Sequence, residues 1–271
     1  MEKRTKDLLV MMPAYNEAES IGGFLEQLEN SEVSNIADIL VINDGSTDDT
    51  SRIVHEHGHA LISHVYNMGY TAALLSGYKY AVRRRYKYVI QIDSDGQHDI
   101  CNVFALYEKM LGADGNGDGP DIVIGSRFLE GGKSFPISTL KKVTIGFFRK
   151  LIKLTTGKQI SDPTSGLQGL NSRALLYFSK YSHFDDKYPY SNMLIQMLLL
   201  GYQVEEIPAV MHARETGTSM HSGLVKQALY MINMFYSICA ILLRILVLKA
   251  EVRSAPGKRA GKVYYEMSDR D

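Results

Sequence analysis

At 271 residues the chain is long enough to bury one large core. Its 30 lysines and arginines balance 30 aspartates and glutamates, so no global basicity points to nucleic acid, although a local patch can hide in a neutral total. Cys101 and Cys239 lie far apart and lack metal-site spacing, which argues against a disulfide framework and favours a reducing, cytosolic setting.

Residues 1–7 run into a strand-like segment and lack the apolar core of a signal peptide. Leu8 to Met12 is a short apolar run closed by Pro13, which predicts a buried strand. Glu17 to Leu28 has helical apolar spacing at Ile21, Phe24, Leu25 and Leu28. A second strand is predicted over Ile36 to Ile42, then a helix capped at Thr47 or Asp48 that runs to about His57. Ala60 to Val65 reads as a strand, Thr71 to Arg85 as a helix, Lys87 to Ile92 as a strand and Asp99 to Leu111 as a helix. Gly112 to Gly119 is a loop, and Asp121 to Gly125 a further strand. Beyond a loop at Glu130 to Ser138, helices are predicted over Thr139 to Thr156 and Tyr190 to Gly201, with a strand over Gln203 to Ile207.

Continuous apolar strands that alternate with helices predict an α/β fold, a mostly parallel central sheet with helices on both faces. Ligands of such sheets bind beyond the carboxyl ends of the strands. Polar clusters fall there: Tyr15-Asn16-Glu17, Asp44-Gly45-Ser46, Asn67-Met68-Gly69, Asp93 to His98 and Ser126-Arg127. Some of these residues serve as caps and turn formers, and Asp44-Gly45 alone reads equally well as a turn. The stretch Asp93-Ser94-Asp95-Gly96-Gln97 ends an apolar run. Side chains at i and i+2 of a strand share a side, so Asp93 and Asp95 can face one spot. Two carboxylates with room for water and substrate oxygens suit Mg²⁺ or Mn²⁺ bridging to phosphate.

Gln227 to Leu243 carries no charged residue. At about 100° per residue, Lys226, Asn233, Ser237 and Arg244 fall on one narrow polar stripe of an otherwise apolar helix. An interfacial helix, a tilted span, a helix packed on a membrane partner, or a buried or oligomer-interface helix would each fit. Lys249, Arg253, Lys258, Arg259 and Lys262 follow, and basic residues beside an apolar helix favour the cytoplasmic leaflet. The expected organisation is a catalytic domain at 1–222, an amphipathic membrane-associating helix at 223–249 and a basic polar tail at 250–271.

These residues together resemble the family 2 glycosyltransferases of GT-A fold, in the branch of dolichol-phosphate mannosyltransferases and polyprenyl-phosphate glycosyltransferases. Seven segments carry the resemblance: Pro13 to Glu17, Asn43 to Asp48, Asn67 to Gly69, Asp93 to Gln97, Gly125 to Arg127, Asp162 to Gly166 and Arg214 to Ser219. The resemblance implies inverting transfer of a sugar from a nucleotide-diphosphate donor, GDP-mannose or a UDP-hexose, to a lipid phosphate at the membrane. It implies that Pro13, Tyr15, Glu17, Ile42, Asp44, Asp93, Ser94 and Gln97 hold the nucleotide sugar. Asp95 and Gln97 would hold Mg²⁺ or Mn²⁺, with Asp95, Arg127 and Arg214 catalytic. Lys141, Lys142 and Ser219 would meet the acceptor phosphate, although the family pattern usually has Arg where Lys141 and Lys142 stand.

A phosphate monoester has its second pKa near 6, so it is a nucleophile at neutral pH without a base. Where hydroxyl-acceptor relatives often carry an acidic pair, this chain reads Tyr190-Ser191-Asn192-Met193, which favours a phosphate acceptor, with Asp186 as a base the competing possibility. The family often has Pro after the Asp-x-Asp-x-Gln stretch, where this chain has His98-Asp99-Ile100, and His98 reads either as a metal ligand or as a polar residue of the helix entry or core. Two other readings remain at this stage: the same fold elongating a cell-envelope glycan on a hydroxyl acceptor, and a non-catalytic subunit of a membrane partner. A separate membrane protein is a further expected partner. A dinucleotide-binding dehydrogenase is excluded, since Pro13 to Glu17 lacks the Gly-x-Gly-x-x-Gly turn.

Overall fold

A computed structural model describes residues 6–133, 137, 139–180, 191–212, 236–243 and 245. Seven strands form one sheet in the order β3-β2-β1-β4-β6-β5-β7. They are β1 (Leu8–Ala14), β2 (Ala37–Asn43), β3 (Ala60–Ser63), β4 (Tyr88–Gln91), β5 (Ile122–Ser126), β6 (Gln168–Asn171) and β7 (Val204–Pro208). β1 pairs in parallel with β2 and β4, β2 with β3, and β5 with β7. β6 runs antiparallel to both β4 and β5 and joins the two parallel halves.

Alternation along the buried strands sends side chains to two cores. Leu9 and Met11 of β1 join Leu40, Ile42, Tyr78, Phe148, Tyr177 and Met197 on one face. That face is covered by α4 (Tyr70–Arg83), α6 (Thr139–Thr156), α7 (Ser172–Phe178) and α8 (Ser191–Leu199). Leu8, Val10 and Met12 join Phe24, Leu25, Val54, Val103 and Leu106 on the other. There the cover is α1 (Ile21–Glu29), α3 (Thr50–Glu56) and α5 (Cys101–Leu111), with a short α2 (Val33–Ile36) leading into β2.

Most predicted elements stand within a few residues of the observed ones. The first helix starts at Ile21 rather than Glu17 because residues 17–20 form a turn, with the Ser20 and Ile21 amides donating to the Glu17 carbonyl at 3.1 and 2.9 Å. The helix after β2 starts at Thr50. Asp48 accepts from the Thr50 amide at 3.0 Å and also from the Ala18 amide at 3.0 Å, so it ties the β1 and β2 ends together as well as capping. β6 and α7 are additional to the expected elements: Gln168-Gly169-Leu170-Asn171 is too short and polar to show a strand period. Gly169 fits against Met110, whose Sδ would lie 2.9 Å from a Cβ there.

The C-terminal stretch is described only at 236–243 and 245, with 236–242 helical. There Ile238, Ile241 and Ile245 are buried, Ile238 within the first core, and Asn192 of α8 donates to Ser237 Oγ at 3.0 Å. This part of the expected membrane helix therefore packs on the domain through one face, leaving Tyr236 and Leu243 exposed.

The close fit of α4 on the sheet is testable. A Cβ at Gly77 would lie 2.7 Å from Met11 Sδ and 3.1 Å from Ile42 Cδ1. Gly77→Ala is expected to destabilise the protein by about 1–3 kcal/mol through overpacking, read as a lower urea midpoint at unchanged slope.

Candidate active site

The parallel register brings the carboxyl ends of β1, β2 and β4 to one edge: Ala14 pairs Asn43, and Met11 pairs Gln91. The loops leaving that edge are bound to one another. Asn16, at φ 54°, accepts from the Thr47 amide at 2.9 Å while its own amide donates to Ser46 Oγ at 3.0 Å. Asparagine tolerates that left-handed conformation better than most residues. Ser94 is buried, and its hydroxyl donates to the Pro13 carbonyl at 2.9 Å, so β1 and the loop after β4 move as one body.

Asp93 and Asp95 follow β4 and are partly exposed. Tyr70, at the start of α4, donates to Asp93 Oδ1 at 3.0 Å, and Tyr70 in turn accepts from buried Gln91 at 3.0 Å. His98 Nε2 faces Asp93 Oδ2 at 3.6 Å, too long for a hydrogen bond. Both ring nitrogens of His98 are buried, with no hydrogen-bond partner among the described residues. Burial alone would raise the Asp93 pKa, but the neighbouring His98 ring, the Tyr70 hydroxyl and the Arg127 charge together hold it below the usual carboxylate value. Asp95 Oδ1 accepts from the Gln97 amide at 3.1 Å across a turn in which Gly96 takes φ +70°. The Gln97 side chain reaches the His212 carbonyl at 3.3 Å, and the His212 amide donates to the Gln97 carbonyl at 2.7 Å. The chain after β7 thus closes against this loop, helped by Asn102, which exchanges bonds of 2.7 and 2.9 Å with Val210.

A second corner is cationic. Arg127, at the end of β5 and 8 % exposed, donates from Nε and Nη2 to both oxygens of Asp162 at 2.7 and 2.8 Å, and from Nη2 to Thr164 Oγ1 at 3.0 Å. Asp162 is fully buried. Its loop is fixed by Glu206 of β7, which accepts from the Ser161 and Asp162 amides at 2.6 and 2.8 Å. Lys141, near the start of α6, belongs to the same corner. Crowding by neighbouring atoms, then the Arg127 charge, hold its pKa below the usual lysine range, with Asp162 acting the other way.

The other expected residues fall as follows. Tyr15 is exposed at the mouth, and Glu17 accepts from Ser20 Oγ at 2.8 Å. Pro13 and Ile42 are buried in the sheet, near the carboxyl ends of β1 and β2. Asp44 is buried and bonded to His64 and the Met68 and Gly69 amides. Lys141 and Lys142 are both exposed by surface area. Arg214, Ser219, Asp185 and Asp186 lie outside the described residues.

Tyr70, Asp162, Glu206 and His64 emerge as organising residues that motif reading did not single out as site residues. One sequence signal was available: Gln91, a lone polar residue inside the apolar run of β4, whose buried amide links Tyr70 to the Gly166 carbonyl at 2.9 Å.

A mostly parallel α/β sheet with two acids after its central strand and a cationic corner on the same edge is the architecture of the GT-A fold. The chain belongs to glycosyl transferase family 2, whose sequence model matches residues 9–177. It is 26 % identical over 228 residues to an undecaprenyl-phosphate mannosyltransferase of Micrococcus luteus, covering 82 % of this chain and 90 % of that one. It is 26 % identical over 193 residues to a UDP-N-acetylglucosamine–dolichyl-phosphate N-acetylglucosaminyltransferase of Methanococcus voltae, covering 65 % and 73 %. The fold is shared with glucosyl-3-phosphoglycerate synthase from Mycobacterium tuberculosis in complex with Mn²⁺, uridine diphosphate and phosphoglyceric acid: TM-score 0.62, 17 % identity, covering 88 % and 78 %.

The Arg127–Asp162 pair is buried on both sides. Asp162→Ala is expected to leave an uncompensated guanidinium and to cost about 3–5 kcal/mol of unfolding free energy. Chemical denaturation of the variant checks this.

Proposed function

We propose that this glycosyltransferase moves a sugar, with inversion, from a nucleotide-diphosphate donor (GDP-mannose or a UDP-hexose) to a polyprenyl or dolichyl phosphate at the cytoplasmic face of a membrane. The observation that carries the reading is the opposition, across one sheet edge, of an oxygen-rich acidic loop and a cationic corner that holds Arg127 and Lys141.

In this reading an oxygen of the lipid phosphate attacks the anomeric carbon, the bond from that carbon to the diphosphate breaks, and the nucleoside diphosphate leaves. The acceptor is ionised near neutral pH and requires positioning cations rather than a base. Lys141, Lys142 and the part of the Arg127 guanidinium not engaged with Asp162 supply positive charge for that task, joined by Arg214 and Ser219. Tyr15, Glu17 and Asp44 bracket the nucleoside, while Pro13, Ile42 and Ser94 set the strand ends that shape its pocket. Asp93, kept ionised by His98, Tyr70 and Arg127, faces the sugar side.

Asp95 and Gln97 are the residues that would hold a divalent cation, with Asp93 beside them. Their donor set is carboxylate and amide oxygen only, which fits Mg²⁺ or Mn²⁺ and not a softer metal. Such a cation supplies charge neutralisation for the departing diphosphate.

Membrane contact has independent support. On α6 the exposed Val143, Phe147 and Leu154 lie on the side opposite the buried Ile145, Phe148 and Ile152. The helix carries Lys141, Lys142, Arg149, Lys150 and Lys153 with no acid. This pattern suits a helix lying against an anionic lipid surface. Among the described residues no helix is long and apolar enough to cross a membrane. The domain at 1–222 then does the chemistry, while the helix at 223–249 and the basic tail at 250–271 add to the membrane contact. Nothing supports a separate membrane-protein partner.

The test offers purified protein labelled GDP- and UDP-sugars with Mn²⁺ and undecaprenyl or dolichyl phosphate, then extracts the organic phase. Labelled lipid, released by mild acid, is expected with the wild type. Asp95→Ala is expected to lower it by at least about a hundredfold with its thermal midpoint retained, since a partly exposed acid adds little to the core. Label confined to water-soluble glycan would replace the acceptor assignment with a hydroxyl one.

Replacing Val143, Phe147 and Leu154 together by serine is expected to shift the protein from vesicles of anionic lipid toward the supernatant on sedimentation, at unchanged stability. Undiminished sedimentation would remove α6 from the contact.

A further inference from the structure

Asp44 directly follows β2 at the proposed nucleoside side of the cleft, yet it is only 3 % exposed and already well bonded. Its Oδ1 receives the His64 ring at 2.6 Å and the Met68 amide at 2.9 Å. Its Oδ2 receives the Gly69 amide at 2.7 Å. A carboxylate offers roughly four acceptor positions, two on each oxygen. The Oδ1 positions are therefore filled, and a single one is left on Oδ2.

His64 is what fills the decisive position, and it is locked. Because Asp44 accepts, ring Nδ1 carries a hydrogen, and on the other side of the ring Nε2 pairs with Ser76 Oγ at 2.9 Å. The loop that supplies the other two donors is equally constrained: a Cβ on Gly45 would collide with the Tyr66 and Asn67 backbone, so the chain there sits directly on the β2 turn.

From this geometry we propose that the donor is a uridine diphosphate sugar, and that His64 is the positioning residue which sets this preference through Asp44. The inference rests on the donor-site reading above. The base edges differ in what they ask of a carboxylate. Uracil presents one ring N–H at N3, flanked by two carbonyls, and one open acceptor position satisfies it. Guanine presents N1–H and its exocyclic amine side by side, a pair that calls for both carboxylate oxygens. With Oδ1 filled, one guanine donor is left without a carboxylate partner, and an unmade hydrogen bond of that kind is costly. Cytosine offers a lone pair at N3 and is repelled by the same oxygen.

Calorimetric titration of the full chain with UDP, GDP and CDP in the presence of Mn²⁺ tests this. UDP is expected to bind about tenfold or more tighter than GDP and CDP. His64→Ala frees Oδ1 and is expected to narrow the UDP-to-GDP ratio by improving GDP, which a merely structural role for His64 would not do. His64→Asn, whose amide can stand in for Nδ1–H, is expected to restore the ratio. GDP or CDP binding to the wild type as tightly as UDP overturns the proposal, and that comparison holds even if the alanine variant fails to fold. No binding by any of the three removes the donor-site reading itself, and the base assignment with it.

Discussion

The parallel seating of β1 between β2 and β4 is the constraint on which the site depends. That register sets Ala14 beside Asn43 and Met11 beside Gln91, so three loops leave the sheet within reach of each other. Side chains then tie the loops laterally: Asp48 to Ala18, Asn16 to Thr47, Ser94 to Pro13 and Tyr70 to Asp93. A slip of one residue in β1 would exchange its two buried faces and break the ties made by Pro13, Asn16 and Ala18. The polar groups of the cleft are thus held both by the sheet edge and by bonds between the loops.

On the opposite side the strategy is a chain of charges. Glu206 fixes the Ser161 and Asp162 amides, Asp162 grips Arg127 in two places, and Arg127 lies near enough to Asp93 and Lys141 to shift both. A bidentate pair buried on both sides is costly to desolvate, and it persists where nearly every donor is matched. Here the match fixes the guanidinium in one orientation while its charge still reaches the cleft.

Much of this was legible in the chain. The apolar runs at 8–12, 36–42 and 87–92 gave the central strands, and the polar residues that end them gave the cleft. β6 was not legible, because Gln168 to Asn171 takes its place by pairing with β4 and β5 and not by any pattern of its own. The acids were legible as a group but their division of labour was not. Asp44 and Asp93 look alike in sequence, yet one is buried with three donors, from His64 and two amides, whereas the other keeps a partly open face. Burial of Ile42 and Ser94, and the turning of Ile238 and Ile241 onto the domain, are likewise outcomes of tertiary packing that periodicity cannot assign.

The most direct test of the central claim, that these strand ends form a donor site with the metal at Asp95, is a crystal structure with a nucleoside diphosphate and Mn²⁺. The account requires the nucleoside over the ends of β1 and β2, and the diphosphate joined through the cation to Asp95 and Gln97, with Arg127 still paired to Asp162. A nucleotide bound elsewhere, or a cation held without Asp95, would contradict it.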